Sequence, residues 1–177
     1  YFADAAKELG RALAEQNITL IYGGAKVGLM GAVADAALEA RGRVIGVLPR
    51  FLQTKEVEHT GLTELILCES MHERKKKMFE LSEGFIALPG GFGTLEELVE
   101  ILTWQQLGLH AFPVGVLNTR GFYDHLKSLF VNMETHKFLK PEHLDSAIFS
   151  SSTKELLEQM ENAKITKNSK WINKSNL

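Results

Sequence analysis

The glycine-rich segment Pro89-Gly90-Gly91-Phe92-Gly93-Thr94 constrains the fold of this chain more than any other part of the sequence. An apolar run at residues 84–88 precedes it and predicts a buried strand, and an amphipathic pattern from Thr94 onward predicts a helix. A turn of this kind lets backbone N–H groups approach a ligand, and the N-terminus of the following helix attracts an anion. Glu97 lies on the same predicted helix. The segment therefore predicts a phosphate-binding turn beside an acid or base.

Strands and helices alternate along the whole sequence. Apolar runs predict strands at residues 18–22, 43–48, 64–68, 84–88, 113–117 and 147–149. Amphipathic or alanine-rich stretches predict helices at residues 3–16, 29–40, 71–82, 94–108, 123–135 and 154–162. Such alternation builds βαβ units, and continuous apolar strands belong in a sheet that is covered on both faces. The sequence therefore predicts an α/β fold, a Rossmann-like doubly wound parallel sheet with helices on both faces.

Size and composition limit the class of protein. The 177 residues are 45% hydrophobic and 24% charged, so we expect one globular domain over residues 1–163, followed by a polar tail at 164–177. The net charge of −2 gives no general attraction to nucleic acid. No apolar run is long enough to cross a membrane, no secretory signal opens the sequence, and Cys68 is the single cysteine. We therefore expect a cytoplasmic protein with no membrane or nucleic-acid partner.

A second glycine-rich turn follows an earlier predicted strand. Gly23 and Gly24 come directly after that strand, and Gly28 and Gly31 lie a few residues further on. The spacing matches neither the GxGxxG fingerprint of dinucleotide-binding folds nor the GxxxxGK[ST] of a P-loop. A tight turn alone accounts for a glycine pair, but in a parallel sheet both turns lie at the carboxyl ends of strands, where ligands bind. We therefore expect a second loop that binds phosphate or ribose.

Charged residues on two predicted helices are candidates for chemistry. Helical spacing brings Met71, Arg74 and Lys75 to one face of the third predicted helix, and the competing interpretation of this basic run is a solvated surface. Glu97 also has a competing interpretation, because Thr94-x-x-Glu97 is the pattern of a capping box. An ionised Glu97 suits the stabilisation of an oxocarbenium-like transition state, or the acceptance of a proton from water. No cluster of histidine, cysteine or carboxylate residues has metal-ligand spacing, so we expect no metal.

Three segments resemble the motifs of one known family. Residues 89–97 match the PGGxGTxxE motif of the LOG ("Lonely guy") family, and residues 71–75, with the sequence MHERK, match its second signature. The turn at residues 22–25, with residues 28–31, resembles its first glycine loop, and the resemblance extends from residue 3 to about residue 130. Members of this family, often mislabelled lysine decarboxylases, are cytokinin riboside 5′-monophosphate phosphoribohydrolases. The resemblance implies hydrolysis of the N-glycosidic bond of a purine nucleoside 5′-monophosphate, which releases the base and ribose 5-phosphate.

The resemblance also implies roles for individual residues. Arg74 and Glu97 match the catalytic pair, in which the guanidinium is expected to orient the carboxylate and neutralise the site. The expected substrate contacts are Gly23, Gly24, Glu56, Met71, Lys75, Gly91, Phe92, Gly93, Thr94 and Thr103. Glu56 and His59 lie in a polar segment at residues 51–62, which the sequence alone predicts to be an exposed loop. Without the resemblance, Thr103 is equally consistent with a packed helical residue.

Other functions fit the sequence less well. The alternative is a Rossmann-like carrier or sensor that holds a nucleotide or a phosphorylated cofactor without cleaving it. The presence of both Arg74 and Glu97 favours an enzyme, because a carboxylate beside a phosphate repels the ligand that a carrier must hold. Lysine decarboxylation needs pyridoxal phosphate held by a buried lysine with a pyridinium partner, and the sequence offers no such arrangement. We expect no cofactor. The preferred purine base and the group that protonates it stay open.

An apolar surface on one predicted helix favours association. The helix at residues 94–107 carries seven large apolar side chains, more than the stripe that one sheet face covers. These side chains are Leu95, Leu98, Val99, Ile101, Leu102, Trp104 and Leu107. Members of the family that the chain resembles are dimeric. We therefore expect a homodimer in which each subunit offers the same surface.

Overall fold

A computed structural model describes residues 1–53 and 58–165 of the chain. The described residues divide into two compact units, the first ending at Ser82 and the second beginning at Glu83. All but the first two residues of the predicted tail at 164–177 lie outside the described residues, and the single-domain organisation over residues 1–163 stays a prediction. None of the described helices combines the length and the apolar character that crossing a bilayer requires.

Each unit contains one parallel three-stranded sheet together with helices. The strands of the described residues are β1 (Leu20–Tyr22), β2 (Val44–Pro49), β3 (Glu64–Cys68), β4 (Phe85–Ala87), β5 (Val114–Leu117) and β6 (Ala147–Ser150). The α-helices are α1 (Phe2–Glu15), α2 (Gly28–Glu39), α3 (Met71–Leu81), α4 (Phe92–Gln106), α5 (Asp124–Thr135), α6 (Pro141–Leu144) and α7 (Thr153–Glu161). The strand order is β1-β2-β3 in the first unit and β4-β5-β6 in the second.

The first unit is built around β2. Every residue of β2 is buried, so both faces of this strand are covered, as a central parallel strand requires. β1 pairs with it in parallel, with Ile21 opposite Ile45, and β3 pairs on its other side. α1 packs closely against α2 at Gly10, where a side chain would collide with the α2 backbone. The carboxyl ends of all three strands lie at one edge of the sheet, and Gly23 follows β1 at that edge.

The second unit is built around β5 in the same way. All residues of β5 are buried, and β4 and β6 pair with it in parallel, with Ile86 opposite Gly115. Its core contains residues from the sheet, α4 and α5. They are Ala87, Leu98, Val114, Val116, Tyr123, Phe130 and Ala147. Because β4 and β5 are parallel neighbours, the turns that follow them lie at the same edge of the sheet.

The α/β, Rossmann-like prediction is confirmed, and each predicted strand and helix has a counterpart. The described strands form two three-stranded sheets where the sequence predicts one sheet, and the other differences are element bounds and one added helix. β1 begins at Leu20 rather than at residue 18, because the Ile18 N–H donates to Leu13 O and closes the end of α1. α4 begins at Phe92, two residues before the predicted start. The predicted elements do not include the short helix α6, whose Pro141 occupies a first-turn position.

Candidate functional site

Arg74 shapes the turn that follows β1. A Cβ on Gly23 would collide with Arg74 Nη2 and would lie 2.8 Å from Cε of Met30, so this glycine leaves the space that the guanidinium occupies. Arg74 Nε donates to Val47 O over 3.2 Å, which holds the side chain near the carboxyl end of β2. Gly24 has φ +76°, a left-handed conformation that favours glycine. The structure therefore brings Gly23, Gly24 and Arg74 together within the first unit.

Arg74 lies on α3, and local side chains fix the first turn of this helix. Ser70 Oγ accepts the backbone N–H of Glu73 over 3.1 Å, and the Glu73 carboxylate accepts the N–H of the residue before the cap over 2.7 Å. The first bond satisfies a donor that a helix start leaves without an intrahelical partner, and the second holds the residue that precedes the cap. Met71 is the first residue of α3 and is 40% exposed, whereas Lys75, next to Arg74, is half-buried.

His59 ties the polar segment that contains it to the turn after β1. Its backbone N–H donates to Gly24 O over 3.1 Å, and its Nε2 lies 2.8 Å from a carboxylate oxygen of Asp35. Its Nδ1 accepts the Gly61 N–H over 3.1 Å, so Nε2 carries the proton that faces Asp35. His59 is only 8% exposed, and the prediction of an exposed loop is wrong at this residue. A partner 24 residues away leaves no local pattern in the sequence.

The first turn of α4 has no side chain that caps it. Its N-cap is Gly91, and the helix begins at Phe92, so Thr94 and Glu97 are the third and sixth helical residues. The capping-box interpretation of Thr94 and Glu97 is therefore wrong, because the threonine does not occupy the N-cap position. Serine side chains cap α3 and α7, whereas α4 has a glycine at this place and, like α1, α2, α5 and α6, no side-chain cap. An uncapped first turn presents backbone N–H groups to an anion.

The three glycines of this turn differ in what surrounds them. A Cβ on Gly90 would collide with the Thr94 hydroxyl, so Gly90 makes room for the threonine side chain. Nothing lies within 4 Å of the place that a Cβ would take on Gly91 or Gly93. Neither of these two residues has a positive φ. The described chain therefore gives no steric or conformational reason for glycine at positions 91 and 93, and a ligand has room to approach the backbone there.

Tyr123, which lies outside the predicted motifs, hydrogen-bonds to the turn that follows β4. Tyr123 is 2% exposed, and its hydroxyl donates to Leu88 O over 2.6 Å. The Gly90 backbone also hydrogen-bonds to this hydroxyl. Burial raises the pKa of Tyr123, and the bond from Gly90 opposes that increase. The local sequence carries no signal for this contact, because 35 residues separate Tyr123 from Leu88.

The remaining candidates on α4 have different environments. Glu97 is half-buried, whereas Phe92 is 92% exposed. Thr103 is exposed, and its hydroxyl donates to Val99 O over 2.7 Å, so a carbonyl of its own helix satisfies it. The expected substrate contacts of these residues stay predictions.

Glu56, the one candidate in the segment 54–57, lies outside the described residues. Within residues 1–53 and 58–165, no group of three or more histidine, cysteine, aspartate or glutamate side chains is arranged to hold a metal ion. The groups available for chemistry are therefore the Arg74 guanidinium at the turn after β1 in the first unit, and, in the second unit, the Glu97 carboxylate and the N-terminus of α4, which has no side-chain cap.

The chain is similar in sequence and in fold to known proteins. Residues 30–160 match the family model described as "Possible lysine decarboxylase". The chain is 44% identical over 160 residues to the probable cytokinin riboside 5′-monophosphate phosphoribohydrolase LOGL1 of Oryza sativa subsp. japonica, across 90% of this chain and 72% of that protein. It is 42% identical over 160 residues to the cytokinin riboside 5′-monophosphate phosphoribohydrolase LOG5 of Arabidopsis thaliana, across 90% and 70%. Its fold is similar to the molybdenum cofactor binding protein from the phototrophic bacterium Rippkaea orientalis, with a TM-score of 0.70, 24% identity, and coverage of 90% of this chain and 86% of that one.

Proposed function

We propose that this chain, which belongs to the LOG family, hydrolyses the N-glycosidic bond of cytokinin riboside 5′-monophosphates and related purine nucleoside 5′-monophosphates. The products are the free base and ribose 5-phosphate. The observation that carries the proposal is the first turn of α4, which has no side-chain cap. Its N-cap Gly91 and its second residue Gly93 are glycines that the described fold does not require. The relatives named for this reaction support the choice of substrate.

The first turn of α4 is the proposed binding place of the 5′-phosphate. Its N–H groups point out of the helix N-terminus, where the helix dipole favours negative charge. Gly91 and Gly93 leave the approach to this backbone open, and Thr94 adds a side-chain hydroxyl next to Gly90. The binding energy of the phosphate is then available to hold C1′ of the ribose in a reactive position.

The proposed reaction exchanges one bond at C1′ for another. The bond from C1′ to the purine nitrogen breaks, the oxygen of a water molecule bonds to C1′, and the released base gains a proton. Positive charge develops on the ribose, so a carboxylate such as Glu97 stabilises the transition state or accepts the proton of the attacking water. Arg74, which stays charged throughout, supplies positive charge at the turn after β1. We propose both residues as catalytic, and Lys75, Met71, Gly23 and Gly24 as substrate contacts.

A nucleotide panel tests the proposed function. The protein is incubated with AMP, an N6-substituted AMP and the two corresponding nucleosides, and the free base is measured by chromatography. We expect release of base from the monophosphates, with the nucleosides slower by at least about tenfold, because they lack the phosphate whose binding energy positions C1′. Equal rates for adenosine and AMP would contradict the proposed role of the phosphate. Binding of AMP without release of adenine would favour a carrier.

We also propose that the protein is a cytoplasmic homodimer. α4 and its C-cap Leu107 expose three large apolar side chains, Phe92, Val99 and Leu107 itself, although Leu98 on the helix is buried in the core. Exposed apolar residues on one helix favour a second copy of the same surface as partner. Light scattering after size exclusion checks the assembly: we expect twice the chain mass of 19.7 kDa. A particle of 19.7 kDa at micromolar concentration would contradict it.

A further inference from the structure

The hydroxyl of Tyr123 makes its hydrogen bonds to the turn that follows β4. It donates to Leu88 O over 2.6 Å, and the Gly90 backbone bonds to the same oxygen atom. Both partners are backbone groups, and they lie on either side of Pro89. The tyrosine ring is part of the core of the second unit and is 2% exposed. One buried oxygen therefore fixes two points of the turn.

Tyr123 is itself held in place by a second set of bonds. Asn118 Oδ1 accepts the Tyr123 N–H over 2.7 Å, and Asn118 Nδ2 donates to Asp124 Oδ1 over 2.7 Å. The Asn118 N–H donates to Ser150 O over 2.8 Å, which connects the start of α5 to β6. These bonds anchor the Tyr123 backbone to the sheet, and its ring is packed in the core of the second unit.

On its other side, Gly90 is in contact with Thr94. The threonine side chain occupies the space next to the Gly90 Cα, and the Leu95 N–H donates to Gly91 O over 3.1 Å. Gly90 is therefore held between Tyr123 and the first turn of α4. Any movement of Gly90 also moves Gly91, the N-cap, and with it the direction in which the first N–H groups of α4 point.

We propose that Tyr123 is a positioning residue for phosphate binding: its hydroxyl holds the turn at residues 88–91 so that the first N–H groups of α4 are oriented for a phosphate. The inference rests on the proposed function, since it explains how the phosphate of that substrate is held. The Tyr123 hydroxyl does not touch the substrate in this scheme. It acts through Gly90 and Gly91.

Tyr123→Phe removes the hydroxyl and keeps the ring in the core. The probe is ribose 5-phosphate, and its affinity is measured by calorimetry beside the kinetics of AMP hydrolysis. We expect the affinity for ribose 5-phosphate to fall by about tenfold, because the hydrogen bond that orients the turn is lost. The KM for AMP is expected to rise by a similar factor, with a smaller change in kcat. A merely structural role would lower the active fraction, and hence kcat, without changing KM or the affinity of the folded protein.

Thr119→Val is the control. The Thr119 side chain is also buried, but its hydroxyl has no hydrogen-bond partner among the described residues. Replacing that hydroxyl by a methyl group removes an unsatisfied polar group and is expected to leave the affinity for ribose 5-phosphate unchanged. Equal losses in the two variants would overturn the inference, because they would show a general response to removing a buried hydroxyl.

The wild-type protein provides a further measurement in case Tyr123→Phe does not fold. Amide hydrogen exchange is expected to show a protected Gly90 N–H beside a rapidly exchanging Phe92 N–H. Rapid exchange at Gly90 would show that the bond to Tyr123 is absent and would overturn the inference. Added ribose 5-phosphate is expected to slow exchange at Phe92, Gly93 and Thr94.

The outcomes separate this inference from the proposed function. If the wild-type protein binds ribose 5-phosphate more tightly than Tyr123→Phe does but hydrolyses no nucleotide, the proposed function is wrong and the role of Tyr123 stands. If AMP is hydrolysed and Tyr123→Phe binds the probe with wild-type affinity, the function stands and the role of Tyr123 is overturned. If the wild-type protein does not bind ribose 5-phosphate, the inference is wrong.

Discussion

The turns after β1 and β4 both place adjacent glycines at the carboxyl end of a parallel strand, but the glycines are there for different reasons. In the first unit, Gly23 gives space to the guanidinium of Arg74, and Gly24 adopts a positive φ. In the second unit, Gly91 and Gly93 have neither a neighbour within 4 Å of an added Cβ nor a positive φ. The described chain explains Gly23, Gly24 and Gly90, whereas it does not explain Gly91 and Gly93.

This difference indicates what each turn does. The turn after β1 positions a side chain, because its glycine creates the space in which Arg74 lies and donates to Val47 O. The turn after β4 presents backbone, because its glycines leave the first N–H groups of α4 accessible. A glycine that is explained neither by a close neighbour nor by a positive φ therefore indicates a place where a ligand approaches the backbone.

Glu97→Gln tests whether α4 contributes charge to the reaction as well as backbone to binding. We expect kcat for AMP to fall by about 10²-fold or more, the scale of a positioned acid, base or electrostatic group. The melting temperature is expected to change little, because glutamine and glutamate have similar helix propensities and Glu97 does not cap the helix. Steady-state kinetics and thermal unfolding check the two expectations.

The same change at the neighbouring Glu96, which is exposed on the same helix, is the matched control and is expected to leave kcat near the wild-type value. A Glu97→Gln variant with full activity and a lower melting temperature would show that Glu97 has a structural role. The second unit would then bind the substrate without contributing charge to the reaction.

Gly23→Ala tests whether this glycine provides the space that the Arg74 guanidinium occupies. The methyl group would occupy the position of the guanidinium, which lies at the end of a flexible side chain, so we expect the fold to persist and Arg74 to leave Val47 O. We expect kcat/KM for AMP to fall by about tenfold or more if Arg74 is catalytic. The measurement is a double-mutant cycle with Arg74→Ala.

In that cycle, Gly23→Ala is expected to have little further effect once Arg74 is alanine, because both changes remove the same guanidinium. Additive losses would show that Gly23 acts separately from Arg74, through the backbone of its own turn, and the distinction between the two turns would disappear.

The larger pattern of the fold could be predicted from the sequence. β2 and β5 are continuous apolar runs, and both are completely buried, because a central parallel strand has no solvent-facing side. The two glycine turns were also visible, since glycines directly after such runs mark the carboxyl end of a strand. These features depend on neighbouring residues, and a single sequence contains that information.

The parts that could not be predicted depend on distant partners. His59 is buried because Asp35 and Gly24 bind it, and Tyr123 is bound to Leu88 over 35 residues of sequence. The predicted start of α4 differs from the observed one for another reason: Thr94-x-x-Glu97 fits a capping box, but Gly91 can serve as N-cap without a side chain. Local pattern alone does not distinguish these two starts.

Gly93→Ala gives the smallest effect and tests the distinction most directly. Gly93 is a helical residue with open space around its Cα, so alanine there is expected to raise the free energy of unfolding by up to about 1 kcal/mol. Gly10→Ala, in α1, is the control, because its Cβ would collide with the α2 backbone and is expected to destabilise the protein. If a phosphate lies against the backbone at Gly93, the same methyl group raises the KM for AMP by roughly fivefold, or about 1 kcal/mol. Denaturant unfolding and kinetics on the one variant measure both. A more stable variant with unchanged KM would show that the substrate does not contact the backbone at Gly93. A glycine that the fold does not require would then not indicate a ligand-binding position in this protein.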